Sequence, residues 1–269
     1  MHRLCFLFVL YGCGLSTCAL ANEDGTKAEK KKVLLVSEMK ENEEQSLASG
    51  LVFLQKLYEI DDENEVNRIA RTELAMGLAD EYDMVVLYAI SKLNKQERAA
   101  LKHHQVDGGS VLWFLQKNAD PKFYRSLAAE MDRPLMPVLI DEYVEFAEDK
   151  AARVIDCSLL DKQSTRDLIF RGYWKIKAEK TQQDSISAMI LSGDNPGLIY
   201  NIESRTAVVL VGTQRELSNW VEKPSWVVLL LELHSKLDSE LTTDKNASGT
   251  DGDCSAVIPT RAGRRRYRV

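Results

Sequence analysis

Apolar positions fall into short unbroken runs separated by stretches of helical periodicity. Val33-Leu34-Leu35-Val36 is the first run of the periodic part of the chain, and Ser49 to Tyr58 follows with Leu51, Leu54, Gln55 and Tyr58 at helical spacing. Met84-Val85-Val86-Leu87 is the second run. Asn94, with Glu97 three residues on, then has the form of a capping box and predicts a helix that ends at Gly108-Gly109. The third run is Val111 to Leu115, after which Asp120-Pro121 supplies an N-cap and a first-turn proline for a helix through Phe123 and Leu127. Runs of this kind, alternating with helices, are the pattern of strands covered on both faces, so an α/β fold with a mainly parallel sheet is predicted.

The second half has a different texture. Leu168 to Lys177, Ile186 to Leu191, Gly197 to Ile202 and Ala207 to Val211 are strand-like, and Gly193-Asp194-Asn195-Pro196 and Glu203-Ser204-Arg205 punctuate them. They are expected to extend the sheet as antiparallel strands. Ser225 to Leu237 closes the pattern as a helix apolar on most of its surface, with Trp226, Leu229, Leu230, Leu233 and Leu237 at helical spacing, and is expected to pack deep.

The ends of the chain are of another kind. Residues 1–21 carry Arg3, an apolar stretch from Leu4 to Leu20 and the small-residue ending Ala19-Leu20-Ala21, the layout of a secretory signal cleaved after Ala21. The alternative is an uncleaved membrane anchor. Residues 22–32 form a polar linker, 33–238 the folded domain, and 239–269 a tail without periodicity that has five arginines among its last nine residues and reads as disordered. A periplasmic or secreted location follows. Membrane contact has two routes in the sequence, the N-terminal segment and the arginine-rich end.

Lys plus Arg is 35 against 41 for Asp plus Glu, a net charge of -6, so no chain-wide positive field exists for nucleic acid. Three of the five cysteines, Cys5, Cys13 and Cys18, lie in the leader. Cys157 and Cys254 could pair in an oxidising compartment, but two cysteines make no disulfide framework, so stability must come from an apolar core.

In doubly wound sheets ligands sit beyond the carboxyl ends of the strands, which directs attention to Ser37-Glu38-Met39, Tyr88-Ala89-Ile90 and Gln116-Lys117-Asn118. None of these is glycine-rich, so a phosphate cradle is not expected. Glu38, Gln116 and Asn118 are the candidate ligand-binding residues. No cofactor and no metal site is expected. His103 and His104, adjacent on a helix, point about 100° apart and cannot easily share an ion. His234 reads as a helix-flank residue, and Cys157 as a small buried hydrophobe with no histidine near it in sequence. The acidic groups Asp61-Asp62-Glu63, Asp141-Glu142 and Glu148-Asp149 read as solvated surface, and the four tryptophans, Trp113, Trp174, Trp220 and Trp226, as core.

The order of motifs resembles a class I glutamine amidotransferase-like domain: Val33 to Val36, Ser46 to Tyr58, Glu81 to Tyr88, Leu93 to Leu101 and Gly108 to Phe114. Asn118 to Tyr124, Phe170-Arg171-Gly172-Tyr173-Trp174, Ser218-Asn219-Trp220 and Val227 to Leu233 resemble, more narrowly, bacterial aerotolerance-type BatA membrane proteins. In those a paired transmembrane anchor and a von Willebrand factor A domain precede such a domain. The resemblance covers Val33 to Leu237 and implies a flavodoxin-like three-layer sandwich. It implies a nucleophilic cysteine on the turn after the Val111 to Leu115 strand, where this chain has Gln116-Lys117, and a downstream His-x-Glu pair that this chain lacks. The Asp-x-Ser-x-Ser metal motif of the von Willebrand domain is also missing. The expectation is therefore a non-catalytic exported module that binds an unknown protein partner or a ligand in the cell envelope. The alternative is a hydrolase or transferase that uses residues outside the amidotransferase pattern, with Cys157 or a carboxylate of the second half as its working group.

Overall fold

Along each central strand, successive side chains enter two different hydrophobic cores. Val33 and Leu35 point to one side of the sheet and Leu34 and Val36 to the other. Met84 and Val86 oppose Val85 and Leu87 in the same way, and Leu112 and Phe114 oppose Val111 and Trp113. This division is the physical content of an unbroken apolar run: a strand with no polar face must be covered on both faces. The structure, a computed structural model, describes residues 30–38, 50–60, 64–75, 77–129, 134–147, 150–177, 185–214 and 216–238. The leader, most of the linker and the arginine-rich tail lie outside the described residues, as do Met39 and Cys254.

The strands are β1 (Lys31–Ser37), β2 (Asn64–Ala70), β3 (Met84–Tyr88), β4 (Ser110–Phe114), β5 (Ile140–Glu145), β6 (Ala152–Cys157), β7 (Ile169–Phe170), β8 (Gly172–Ile176), β9 (Ser185–Leu191), β10 (Asn195–Asn201) and β11 (Thr206–Val209). The helices are α1 (Leu51–Ile60), α2 (Lys95–Val106), α3 (Pro121–Ala128), the single turn α4 (Lys162–Thr165) and α5 (Pro224–Asp238). The main sheet has the order β2-β1-β3-β4-β11-β10-β9-β6-β7. Its first five strands are mutually parallel and the remainder antiparallel. On one face lie α1, through Leu51, Leu54, Leu57 and Tyr58, and α5, through Trp226, Leu229, Leu230, Leu233 and Leu237. The other face is covered by Leu101 of α2, Phe123, Tyr124 and Leu127 of α3, and the segment from Leu135 to Ile140. This is a flavodoxin-like three-layer sandwich whose mainly parallel sheet is extended by antiparallel strands.

The local signals act as expected at α2 and α3. Asn94 accepts from the Glu97 amide at 2.9 Å while the Glu97 carboxylate accepts from the Asn94 amide at 2.7 Å. Asp120 caps α3 through the Lys122 amide at 2.9 Å, ahead of Pro121. All four tryptophans are buried.

Two expectations about the sheet are corrected. The stretch 207–211 does not run antiparallel throughout: β11 pairs parallel to β4 and takes the fifth place in the parallel set, as its fully apolar sequence allows. The stretch 168–177 is two strands, not one, because the chain breaks at Arg171. β7 joins the far edge of the main sheet, while β8 pairs with β5 in a separate ribbon. Asp141-Glu142 lies in β5 of that ribbon, with Glu142 exposed. β2 was not anticipated: Asn64-Glu65-Val66-Asn67-Arg68-Ile69-Ala70 is polar because it is the edge strand.

Candidate functional site

Ser37 of β1 pairs with Tyr88 of β3, Tyr88 with Phe114 of β4, and Phe114 with Val209 of β11. This row is the carboxyl edge of the parallel strands, and the residues just past it form the rim. The small β5–β8 ribbon closes one end, since the Trp174 amide donates to the Leu210 carbonyl at 2.8 Å. That ribbon needs Gly172, because a Cβ there would fall 2.0 Å from the Tyr143 hydroxyl.

At the centre of the rim is a neutral hydrogen-bond cluster. The Gln116 side chain, only 3% exposed, donates through Nε2 to Thr213 Oγ1 at 3.2 Å. The Tyr88 hydroxyl shares a hydrogen bond with the same Thr213 oxygen at 3.2 Å. The Gln116 backbone carbonyl accepts from the Trp174 indole at 3.1 Å. Gln116 Oε1 is buried and accepts no hydrogen bond from any described residue. Gly50, which precedes α1, lies directly against this cluster: its φ of +87° is left-handed, and a Cβ would stand 2.9 Å from the Thr213 carbonyl oxygen and 3.4 Å from the Tyr88 hydroxyl. A helix N-terminus is thereby seated beside the cluster.

Beside it runs a charged layer. Glu38, at the end of β1, accepts from the Ser91 amide at 3.2 Å and from its hydroxyl at 3.1 Å. Arg71, on the helical turn after β2, ion-pairs with Glu38 at 3.3 Å and reaches the two Glu97 carboxylate oxygens at 2.6 and 2.8 Å. Glu97 is nearly sealed from solvent, so the same carboxylate that caps α2 also ties Arg71 to the rim. Tyr124 of α3 donates to the Ile90 carbonyl, and burial, with the Glu38 charge adding to it, pushes its phenol well above the usual range.

Of the three residues singled out from sequence, Glu38 and Gln116 therefore lie at the rim with specific partners. Asn118 is exposed on the turn beyond Lys117 and hydrogen-bonds to neither of them. Tyr88 begins one of the three strand-end loops. Thr213 lies in the loop four residues past β11 and is legible by the same strand-end rule once 207–211 is read as a parallel strand. Arg71 had no signal, because it follows the unanticipated β2.

A nucleophile elbow is a sharp, strained strand-to-helix turn. Among the described non-glycine residues, left-handed backbone occurs at Ala89, Asp194 and Arg205, none of them after β4. Among the described residues, none of the groups hydrogen-bonded at the rim is a thiol or an imidazole. Cys157 lies on β6, separated from the parallel strands by β9 and β10. Burial raises its thiol pKa, which outweighs the lowering by the Leu159 and Leu160 amides, so the sulfur is held as the poorly nucleophilic thiol. His104 is buried and bonds the Ser110 carbonyl at 3.1 Å. His234 is a core residue, not a helix-flank one: it is buried and its ring meets that of Tyr58 edge-on at 6.0 Å.

No protein-family model matches the chain, and no curated protein does at a significant level. Solved structures do match. A ThuA-like protein from Bacteroides uniformis aligns over 80% of this chain and 94% of its own, with a TM-score of 0.54 at 16% identity. An α-L-fucosidase isoenzyme from Paenibacillus thiaminolyticus aligns over 79% of this chain with a TM-score of 0.51 at 10% identity. The GH42 β-galactosidase Gan42B from G. stearothermophilus aligns over 80% with a TM-score of 0.50 at 11% identity. The chain spans 34% and 30% of the length of those two glycosidases. At these identities the likeness is one of fold. The chain shares with these proteins a flavodoxin-like α/β fold.

Proposed function

We propose that this chain is a non-catalytic binding module of the cell envelope, built on an amidotransferase-like scaffold and engaging its protein or small-molecule partner at the carboxyl rim of the parallel strands. The observation that supports this most is Gln116. It stands where the resemblance calls for a nucleophilic cysteine, it is held by Thr213 and Trp174, and it keeps a buried acceptor without a partner. An amide cannot act as a nucleophile or move a proton at neutral pH, but it can read a hydrogen-bond donor. A ligand that presents an N–H or O–H group to Gln116 Oε1 has to open the rim first, because that oxygen is buried. The charged layer of Glu38, Arg71 and Glu97 supplies a fixed polar border beside that contact. Export is supported by the leader pattern of residues 1–21.

The reading that makes Cys157 catalytic is less well supported, because that thiol is desolvated and distant in strand order from the rim. The test is hydrogen exchange on the full chain, mixed in turn with the protein and the small-molecule fractions of an envelope extract from its native host. Protection is expected at Ala89–Ser91, Gln116–Asn118 and Gly212–Thr213, and its loss in Gln116→Ala. Rim exchange unchanged by both fractions would overturn the proposal, as would equal protection in wild type and variant.

A further inference from the structure

We propose that Asp80, His103 and Asp107 form a binding site for a divalent first-row transition-metal ion. This site is independent of the rim reading: Asp80 precedes β3 and Asp107 precedes β4, so it lies at the amino ends of the parallel strands, the opposite edge of the sheet.

His103 and Asp107 are four residues apart at the end of α2 and therefore share one face of its last turn. Asp80 sits on the helical turn Ala79–Glu81. His103 Nδ1 is 3.2 Å from an Asp80 carboxylate oxygen and 3.0 Å from an Asp107 oxygen, and the three donor atoms all lie within 4.8 Å of one another. Around an ion bound at about 2.0–2.2 Å, adjacent donors at octahedral or tetrahedral angles are roughly 2.8–3.6 Å apart. Two of the three edges already have that length.

One Nδ1 carries at most one proton, yet two carboxylates converge on it. The ion pairs of Asp80 and Asp107 among the described residues are with His103 alone. A divalent cation in place of that proton would meet both charges, and the C-terminal end of α2 favours a cation there.

The neighbouring histidine supplies rigidity. His104 bonds the Ser110 carbonyl at 3.1 Å, which fastens the end of α2 that carries two of the donors to the start of β4. Gly109 is what leaves room for that ring, since a Cβ there would fall 2.0 Å from it. An imidazole nitrogen with two carboxylates suits zinc, cobalt, nickel or manganese better than magnesium or calcium, which prefer oxygen alone. Water completes the coordination, because all three side chains are exposed.

The test is calorimetric titration of the full-length chain with zinc chloride, and separately with magnesium chloride. Circular dichroism melting without metal serves as the folding control. Zinc is expected to bind, with affinity lowered about tenfold or more in His103→Ala and in Asp107→Asn while the metal-free melting temperature holds. Absence of zinc binding by the wild type, affinity unchanged in both variants, or magnesium binding as tight as zinc would overturn the assignment.

Discussion

Gly109 and His104 form a small lock whose failure is predictable. The His104 ring fills the space where any other residue at 109 would place its Cβ, with contacts of 2.0 to 2.3 Å. Gly109→Ala must therefore displace a buried ring that is hydrogen-bonded to the Ser110 carbonyl, and is expected to lower stability by about 1–3 kcal/mol in urea unfolding. The same ring makes stability pH-dependent. Burial, outweighing the hydrogen bonds to Ser110 and Ala79, lowers the His104 pKa below its ordinary 6.5. Below about pH 6.5 the unfolded chain then binds a proton that the folded chain refuses. The contribution of neutral His104 is complete above that pH and is lost as pH falls toward the lower folded value. Urea midpoints at pH 7.5 and 5.5 should differ more for wild type than for His104→Gln; an equal difference would contradict this. Sequence placed the two adjacent histidines on separate faces of one helix, and His103 is indeed exposed while His104 is buried. It carried no warning of Asp80, 23 residues away, because nothing local records which helical turn packs beside α2.

At the scale of elements, α2 shows how one carboxylate serves two levels of structure. Its capping box was legible from Asn94 and Glu97 alone, and Asn94→Ala is expected to cost about 1 kcal/mol. The pairing of Glu97 with Arg71 was not legible, because it depends on β2, whose polar sequence carries the mark of an edge strand and not of a core one. Arg71→Met leaves a carboxylate that is only 2% exposed without its cation and is expected to cost about 3 kcal/mol or more in chemical denaturation. A companion Glu97→Gln change should recover part of that loss, and full additivity of the two would contradict the pairing. The central strands were readable because burial on both faces writes itself into Val33–Val36, Met84–Leu87 and Val111–Leu115. The direction of β11 was not, since an apolar run looks the same whichever way it enters the sheet. Only its neighbour β4 distinguishes the two.

For the whole molecule, two apolar cores on either side of one sheet fix the rim, and the rim fixes what the scaffold can do. The strand-end rule locates Glu38 and Gln116 from the apolar runs alone, because in a parallel sheet the carboxyl ends collect the loops that face a ligand. The cluster of Gln116, Thr213 and Tyr88 joins residues up to 125 apart in sequence and required the fold. Among the described residues no helix is long and apolar enough to cross a membrane. The fold alone carries no activity. What gives the account its content is the buried amide of Gln116 after β4. The most direct measurement is ammonia release from glutamine by the purified full-length chain. The account predicts none above buffer, for the wild type and for Gln116→Ala alike. Enzyme-dependent release that disappears in Gln116→Ala or in Cys157→Ser would contradict it.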